Sequence, residues 1–217
     1  MRTIKHALAI AITMSFAGVA FAARSVEVAK VTGQALVAAF EEFTPDCSAG
    51  IDSAVDVHWN SSITKLDGDK TTQPAVILDL HYVNTCTGDD LMMTGFSLDP
   101  QGSVVDDLSR GHFDAVIPVS TDPDFPPVRT ATLNASIDFT ATGPATTIRD
   151  QFHSRDGAVS VNSDFMVSSR PATATGSVTG TLPLASGPTF VTLVSGRPSL
   201  FAQIEKDASG TITITRK

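Results

Sequence analysis

The chain has 217 residues, 42% of them hydrophobic, 18% charged and 6% aromatic, with a formal net charge of −8. Such a composition supports one domain with a core of Val, Ile, Leu, Ala and Phe. It excludes nucleic acid and anionic membrane surfaces as partners, because a polyanion is held by clusters of Lys and Arg that this chain lacks.

Residues 1–22 read as a secretory signal peptide. Arg2 and Lys5 precede the apolar run Ala7 to Phe16, and Ala20-Phe21-Ala22 supplies the small-x-small site, so cleavage is expected after Ala22. The mature chain of about 195 residues then works in a secreted or periplasmic setting. Without Arg2 and Lys5 its net charge falls from −8 to −10. Ala23, not a cysteine, follows the cut, and no later apolar stretch reaches the length of a membrane helix, so no membrane insertion is expected.

From residue 25 the pattern has period two. Candidate strands in chain order are Ser25 to Val31, Ala54 to Trp59, Ala75 to Val83, Leu91 to Leu98, Phe113 to Ile117, Ala131 to Phe139, Val159 to Val167, Ala172 to Leu182, Phe190 to Val194, Leu200 to Lys206 and Thr211 to Thr215. Ala131, Leu133, Ala135, Ile137 and Phe139 alternate with polar residues, the mark of a strand with one buried face. Gln34 to Phe43 has Leu36, Phe40 and Phe43 at helical spacing. Its two glutamates would sit at the unfavourable end of a helix dipole, so it reads as a strand.

Asp207-Ala208-Ser209-Gly210 reads as a hairpin connection, and Thr121 to Val128, with its three prolines, as a crossover between halves of the fold. Many short strands argue for a sandwich or a closed barrel. The expectation is an all-β antiparallel β-sandwich, Ig-like or jelly-roll-like, forming a single domain over residues 23–217.

Cys47 and Cys86 are the only cysteines, and in an oxidising compartment they are expected to form one disulfide. The one constellation with metal-ligand chemistry is an echo, Asp56-Val57-His58-Trp59 and Asp79-Leu80-His81-Tyr82. A hairpin centred on Gly68 and Asp69 sets Asp56 across from His81 and His58 across from Asp79. This arrangement reads first as a polar ladder on a solvated face, and second as a weak metal site. No metal or other cofactor is assigned.

Asp67-Gly68-Asp69 lacks the downstream ligands of a calcium loop, and Asp89-Asp90 and Asp106-Asp107 read as solvated turn acids. No Gly-x-Ser-x-Gly elbow occurs, which leaves His112 or His153 as members of a convergent triad.

The functional expectation is a non-catalytic binding or structural module that meets a protein or glycan partner through loops or an exposed edge strand. Candidate contact regions are Asp67 to Thr72, Thr121 to Pro127 and Arg149 to Gly157. The alternatives are a secreted hydrolase acting on polysaccharide or peptide, and a surface-fibre subunit. Export signal, cysteine spacing and β pattern over the first third of the mature chain are similar to chaperone-assembled pilins, a resemblance that implies completion by a partner's strand. The ending Thr213-Ile214-Thr215-Arg216-Lys217 departs from the aromatic β-zipper of those subunits, and the family is not assigned.

Overall fold

Period-two patterning becomes an antiparallel sheet. A computed structural model describes residues 25–43, 51–66, 69–98, 100–124 and 126–216, with the side chains of 43, 51–56, 58–73 and 207–209 outside the description. Among the described residues there are eleven strands. They are β1 (Ser25–Phe43), β2 (Ile51–Leu66), β3 (Asp69–Asn84), β4 (Asp89–Ser97), β5 (Gln101–Val104), β6 (Arg110–Ser120), β7 (Thr130–Ala141), β8 (Thr146–Asp156), β9 (Val159–Leu184), β10 (Gly187–Ser195) and β11 (Phe201–Arg216).

All eleven belong to one sheet, and its pairings run round a cycle: β9, β11, β1, β2, β3, β4, β6, β7 and back to β9. The sequence favoured two packed sheets; the hydrogen bonding follows the other arrangement its pattern allowed, a sheet closed on itself. The closing seam between β4 and β6 has only two pairs, Thr94 with Ser120 and Gly95 with Val119. Glycine is required there: a Cβ on Gly95 would lie 2.4 Å from a Val119 methyl carbon and 2.8 Å from the Pro118 carbonyl oxygen.

β9 is the spine. Along one side run β7 and then β8; along the other, β10 and then β11. Between β10 and β11 the chain stays attached to β9, as Gly196 and Ser199 donate their amides to the carbonyls of Gly176 and Ala174. The result is two tiers. In the closed tier, alternate described residues of the ring strands point inward, among them Leu36, Leu78, Phe113, Ile117, Ile137 and Leu182, all fully buried. Burying each such side chain contributes roughly 1.5–3 kcal/mol. The Phe113 and Phe139 rings meet at 6.3 Å in a tilted pair.

In the open tier the order is β8, β9, β11, β1, β2, β3, with β8 and residues 69–75 of β3 as free edges. Its apolar side is the opposite face of the same sheet. In β1 the buried phase passes from Leu36, Ala38 and Phe40 to Ala29 and Val31, and in β9 from Ala174, Val178 and Leu182 to the half-buried Val161, Phe165 and Val167. β11 carries an extra residue between Asp207 and Ser209, which lets Ile212 and Ile214 join that second apolar side. Phe165 covers Gly210, where a Cβ would stand 2.4 Å from the ring.

Several expectations change. Asp207 to Gly210 is not a hairpin connection, because β11 runs through it with a bulge. Val159 to Val167 and Ala172 to Leu182 are one strand of 26 residues. Thr121 to Val128 joins β6 to its direct neighbour β7 and is therefore a hairpin loop, not a crossover. Thr121 and Arg129 close that loop, with the Thr121 amide donating to the Arg129 carbonyl at 3.0 Å. Arg149 to Asp156 is strand, not contact loop. Gln34 to Phe43 is strand, as its charge placement required.

Candidate functional site

The Asp/His echo lies on β2 and β3, but in a register two residues away from the one expected. Asp56 faces Asp79, His58 faces Ile77 and His81 faces Ala54; on the other side Val57 faces Leu78 and Trp59 faces Val76. At the end of the hairpin Leu66 pairs with Asp69, so two residues of the sequence, Asp67 and Gly68, separate the paired positions. Asp-Gly is a dipeptide that favours a connection of that length. The expected cross-strand Asp–His rungs are therefore replaced by one Asp–Asp rung. The side chains of Asp56 and His58 lie outside the described residues. Asp79 accepts from the Thr94 hydroxyl at 2.8 Å, and His81 Nε2 lies 3.0 Å from an Asp90 carboxylate oxygen. Among the described residues no group of three His, Cys, Asp or Glu is placed to hold a metal ion.

A tighter constellation stands on the outer face of the closed tier. On β6, His112 is directly opposite Ser103 of β5 and Asp138 of β7, so the three share one row. Its Nδ1 is 2.8 Å from Asp138 and its Nε2 is 2.8 Å from Asp114, two residues along the same strand and so on the same face. The bond to Asp114 is the main reason the imidazole pKa is raised, with Asp138 adding to it. Asp114 is held below the usual carboxylate range by His112 and then by Ser136. The row has the residue types of a serine-hydrolase triad, with a carboxylate on Nδ1. Its Nε2, however, is occupied by a second carboxylate. An imidazolium that donates from both nitrogens has no lone pair with which to take a proton from Ser103. The arrangement is an ion clamp across β6 and β7.

Asp89 is the buried charged residue of the described chain. It starts β4 and reaches the turn between β9 and β10, where it accepts from the Ser186 amide at 3.0 Å and the Ser186 hydroxyl at 2.5 Å; Thr87 donates its hydroxyl at 2.6 Å. Those hydroxyls hold its pKa down to about 2. All of its bonds go to neighbouring protein groups, so the role is structural, and the solvated turn acid expected at this position is corrected. Cys86 sits close by, exposed in the turn 85–88, which Asn84 organises by accepting the amides of Cys86 and Thr87. Cys47 lies outside the described residues.

The third place is the open tier. Face by face, Gln151 aligns with Asp164, Thr211 and Lys30, and His153 aligns with Asn162 and Thr213. All of these except Lys30 line a shallow groove across β8, β9 and β11, to which Phe152 and Ser163 also contribute. Arg149 forks onto Asp164, with Nε 2.8 Å from one oxygen, and lowers the Asp164 pKa. His153 Nδ1 contacts the Asn162 side-chain oxygen. Phe152 and Ile148 occupy the opposite face of the edge strand, 58% and 64% exposed.

Sequence reasoning missed the His112 clamp and the Asp89 anchor. The clamp had a signal, since His112 and Asp114 are two apart in a strand and Asp138 lies on the wet face of the clearest alternation in the chain. The anchor had none, because Ser186 is 97 residues away. No family model matches the chain, and the search of curated proteins returned no match.

Proposed function

We propose that this chain is an exported, non-catalytic binding module that engages its partner along the open tier, with the closed tier as a rigid scaffold. Export rests on the leader read in residues 1–22. The observation that carries the binding role is β8: an edge strand of eleven residues, exposed at every position and, among the described residues, bonded to the sheet on one side only. Its sequence has no Pro, Gly or Lys, and its ladder with β9 has no bulge; the devices against indiscriminate edge pairing that it does carry are charges, Arg149, Asp150, Arg155 and Asp156, which leave the backbone edge open and restrict what can pair with it.

The proposed disulfide between Cys47 and Cys86 would tie the link between β1 and β2 to the rim that Asp89 anchors. It is supported by the fact that no described cysteine is free. The outward side chains of β7, namely Thr130, Thr132, Asn134, Ser136, Asp138 and Thr140, suit water and not lipid. Hydrolysis is the second reading, favoured by the Ser103, His112 and Asp138 row and opposed by Asp114 on Nε2.

Photo-crosslinking from position 151 on β8 and from position 134 on the outer face of β7, in full-length chain exported by its own leader, tests the first reading. Discrete adducts from 151 alone are expected. Equal adducts from both positions, or none from either, would overturn it, and so would an esterase or glycosidase activity that His112→Gln abolishes.

A further inference from the structure

We infer that the free edge of β8 accepts an extended segment of a partner whose residues alternate between acidic and apolar. The inference deepens the reading above and rests on it. Two faces of one edge carry the argument. In a β-ladder, residues directly opposite share a face, so an added strand places alternate side chains beside alternate side chains of β8.

One set of β8 positions is Thr147, Arg149, Gln151, His153 and Arg155, which contains no acid. The other includes Ile148 and Phe152, which stand next to the apolar side of the open tier through Val167 and Ser163 of β9. The protein as a whole carries a net charge of −8, so a basic row along an unpaired edge is local and opposite to the rest of the surface. Arg149 shares its charge with Asp164, leaving His153 and Arg155 as the less committed part of the row.

An incoming antiparallel strand with carboxylates facing Arg155 and His153, and branched apolar residues facing Phe152 and Ile148, completes both faces together. A strand of the opposite charge meets the basic row with like charge, which disfavours a directly opposed pair. Asp150 and Asp156, on the apolar side, select against carboxylates there and so fix which face the acids take.

The test uses the full mature protein and synthetic eight-residue peptides of alternating Glu and Val, alternating Lys and Val, and the Glu and Val peptide N-methylated at every second residue in either phase. Binding is read by fluorescence anisotropy at low and high salt, with hydrogen exchange on β8 as the structural readout. The Glu/Val peptide is expected to bind about tenfold tighter than the Lys/Val peptide at low salt, with the ratio shrinking as salt rises. It should protect β8 amides and lose binding when methylated in one phase but not the other.

Arg155→Glu, at an exposed position, should reverse the charge preference. Equal binding of the two peptides, or protection anywhere other than β8, overturns the inference. If position 151 crosslinks in the cell while neither peptide binds, the acidic and apolar partner falls and the edge-binding reading stands. If position 151 does not crosslink and neither peptide binds, both fall.

Discussion

Gly95→Ala should loosen the seam that closes the sheet. The added Cβ would lie 2.4 Å from Val119 Cγ1, 2.8 Å from Ile117 Cγ2 and 2.8 Å from the Pro118 carbonyl oxygen. Ordinary carbon contacts lie at about 3.5–4.0 Å, so β4 and β6 must separate by roughly 1 Å. Val119 and Ile117 are 3% and 0% exposed, which leaves neither side chain room to turn away, and the third obstacle is backbone. Overpacking of this kind costs about 1–3 kcal/mol. The lower entropy of an unfolded chain with Ala in place of Gly offsets about 0.4–1 kcal/mol.

The net expectation is a loss of about 1–2 kcal/mol. With a urea slope of about 2 kcal/mol per molar, the midpoint should fall by roughly 0.5–1 M. Hydrogen exchange should quicken first at Thr94, Gly95, Val119 and Ser120, the four residues of the two-pair seam. Val119→Ala removes the nearest methyl, so the double variant should lose less than the two single losses added together. An unchanged or raised midpoint in Gly95→Ala, with the amides of the seam still protected, would refute the close approach of β4 to β6.

Three further outcomes follow from the electrostatics and the cysteines. Asp89 has a folded pKa of about 2 against an ordinary 3.8, so its stabilisation is present above 3.8 and is lost as pH falls through 2. The gap in melting temperature between the protein and Asp89→Asn should therefore be wide at neutral pH and close near pH 2; a gap independent of pH would rule out the carboxylate's role. The His112 pKa is raised from 6.5, so its clamp is complete below that value and is lost as pH rises through the higher folded pKa. His112→Gln should cost more at pH 5 than at pH 9, and added salt should shrink the difference at this partly exposed site. For the cysteines, intact mass with alkylation but no reduction should show no labelled thiol, and two labels would exclude the Cys47 to Cys86 bond.

How much of this was legible in the sequence depends on range. Alternation named the inward residues of β7 and of the second half of β9, because a half-buried strand writes its burial into every second residue. The Gln34 to Phe43 strand was legible from charge placement alone. The hairpin register on β2 and β3 had a local signal too, since Asp-Gly is a stronger dipeptide than Gly-Asp for a two-residue connection and Leu66 pairs with Asp69; a shift of two keeps every residue on its face while exchanging every partner. That is why Val57, Leu78, Leu80 and Tyr82 are buried as expected while the Asp/His rungs are not formed. The seam at Gly95 and the reach of Asp89 to Ser186 depend on strands far apart in sequence, about which periodicity is silent.

The open tier was the hardest part to see, and its physics says why. Apolar residues fall on odd positions from Val159 to Val167 and on even positions from Ala172 to Leu182, and a change of phase inside a run ordinarily marks two strands separated by a turn. Here the backbone continues through Ser168, Ser169, Arg170 and Pro171 in one strand, and the sheet exchanges the side on which it hides apolar surface. β1 makes the same exchange at Gly33, so the two strands flanking β11 agree on it. β11 keeps its apolar residues on even positions throughout, from Ala202 and Ile204 to Ile212 and Ile214, and would disagree with both neighbours but for its extra residue at Asp207 to Ser209. A bulge that looks in sequence like a hairpin turn is the device that keeps three strands in agreement across a face change. Closing the ring and changing face also divide the molecule: the ring strands of the closed tier hold one another round the core, with β5 and β10 paired on one side only, and among the described residues the open tier leaves one long side of β8 unpaired.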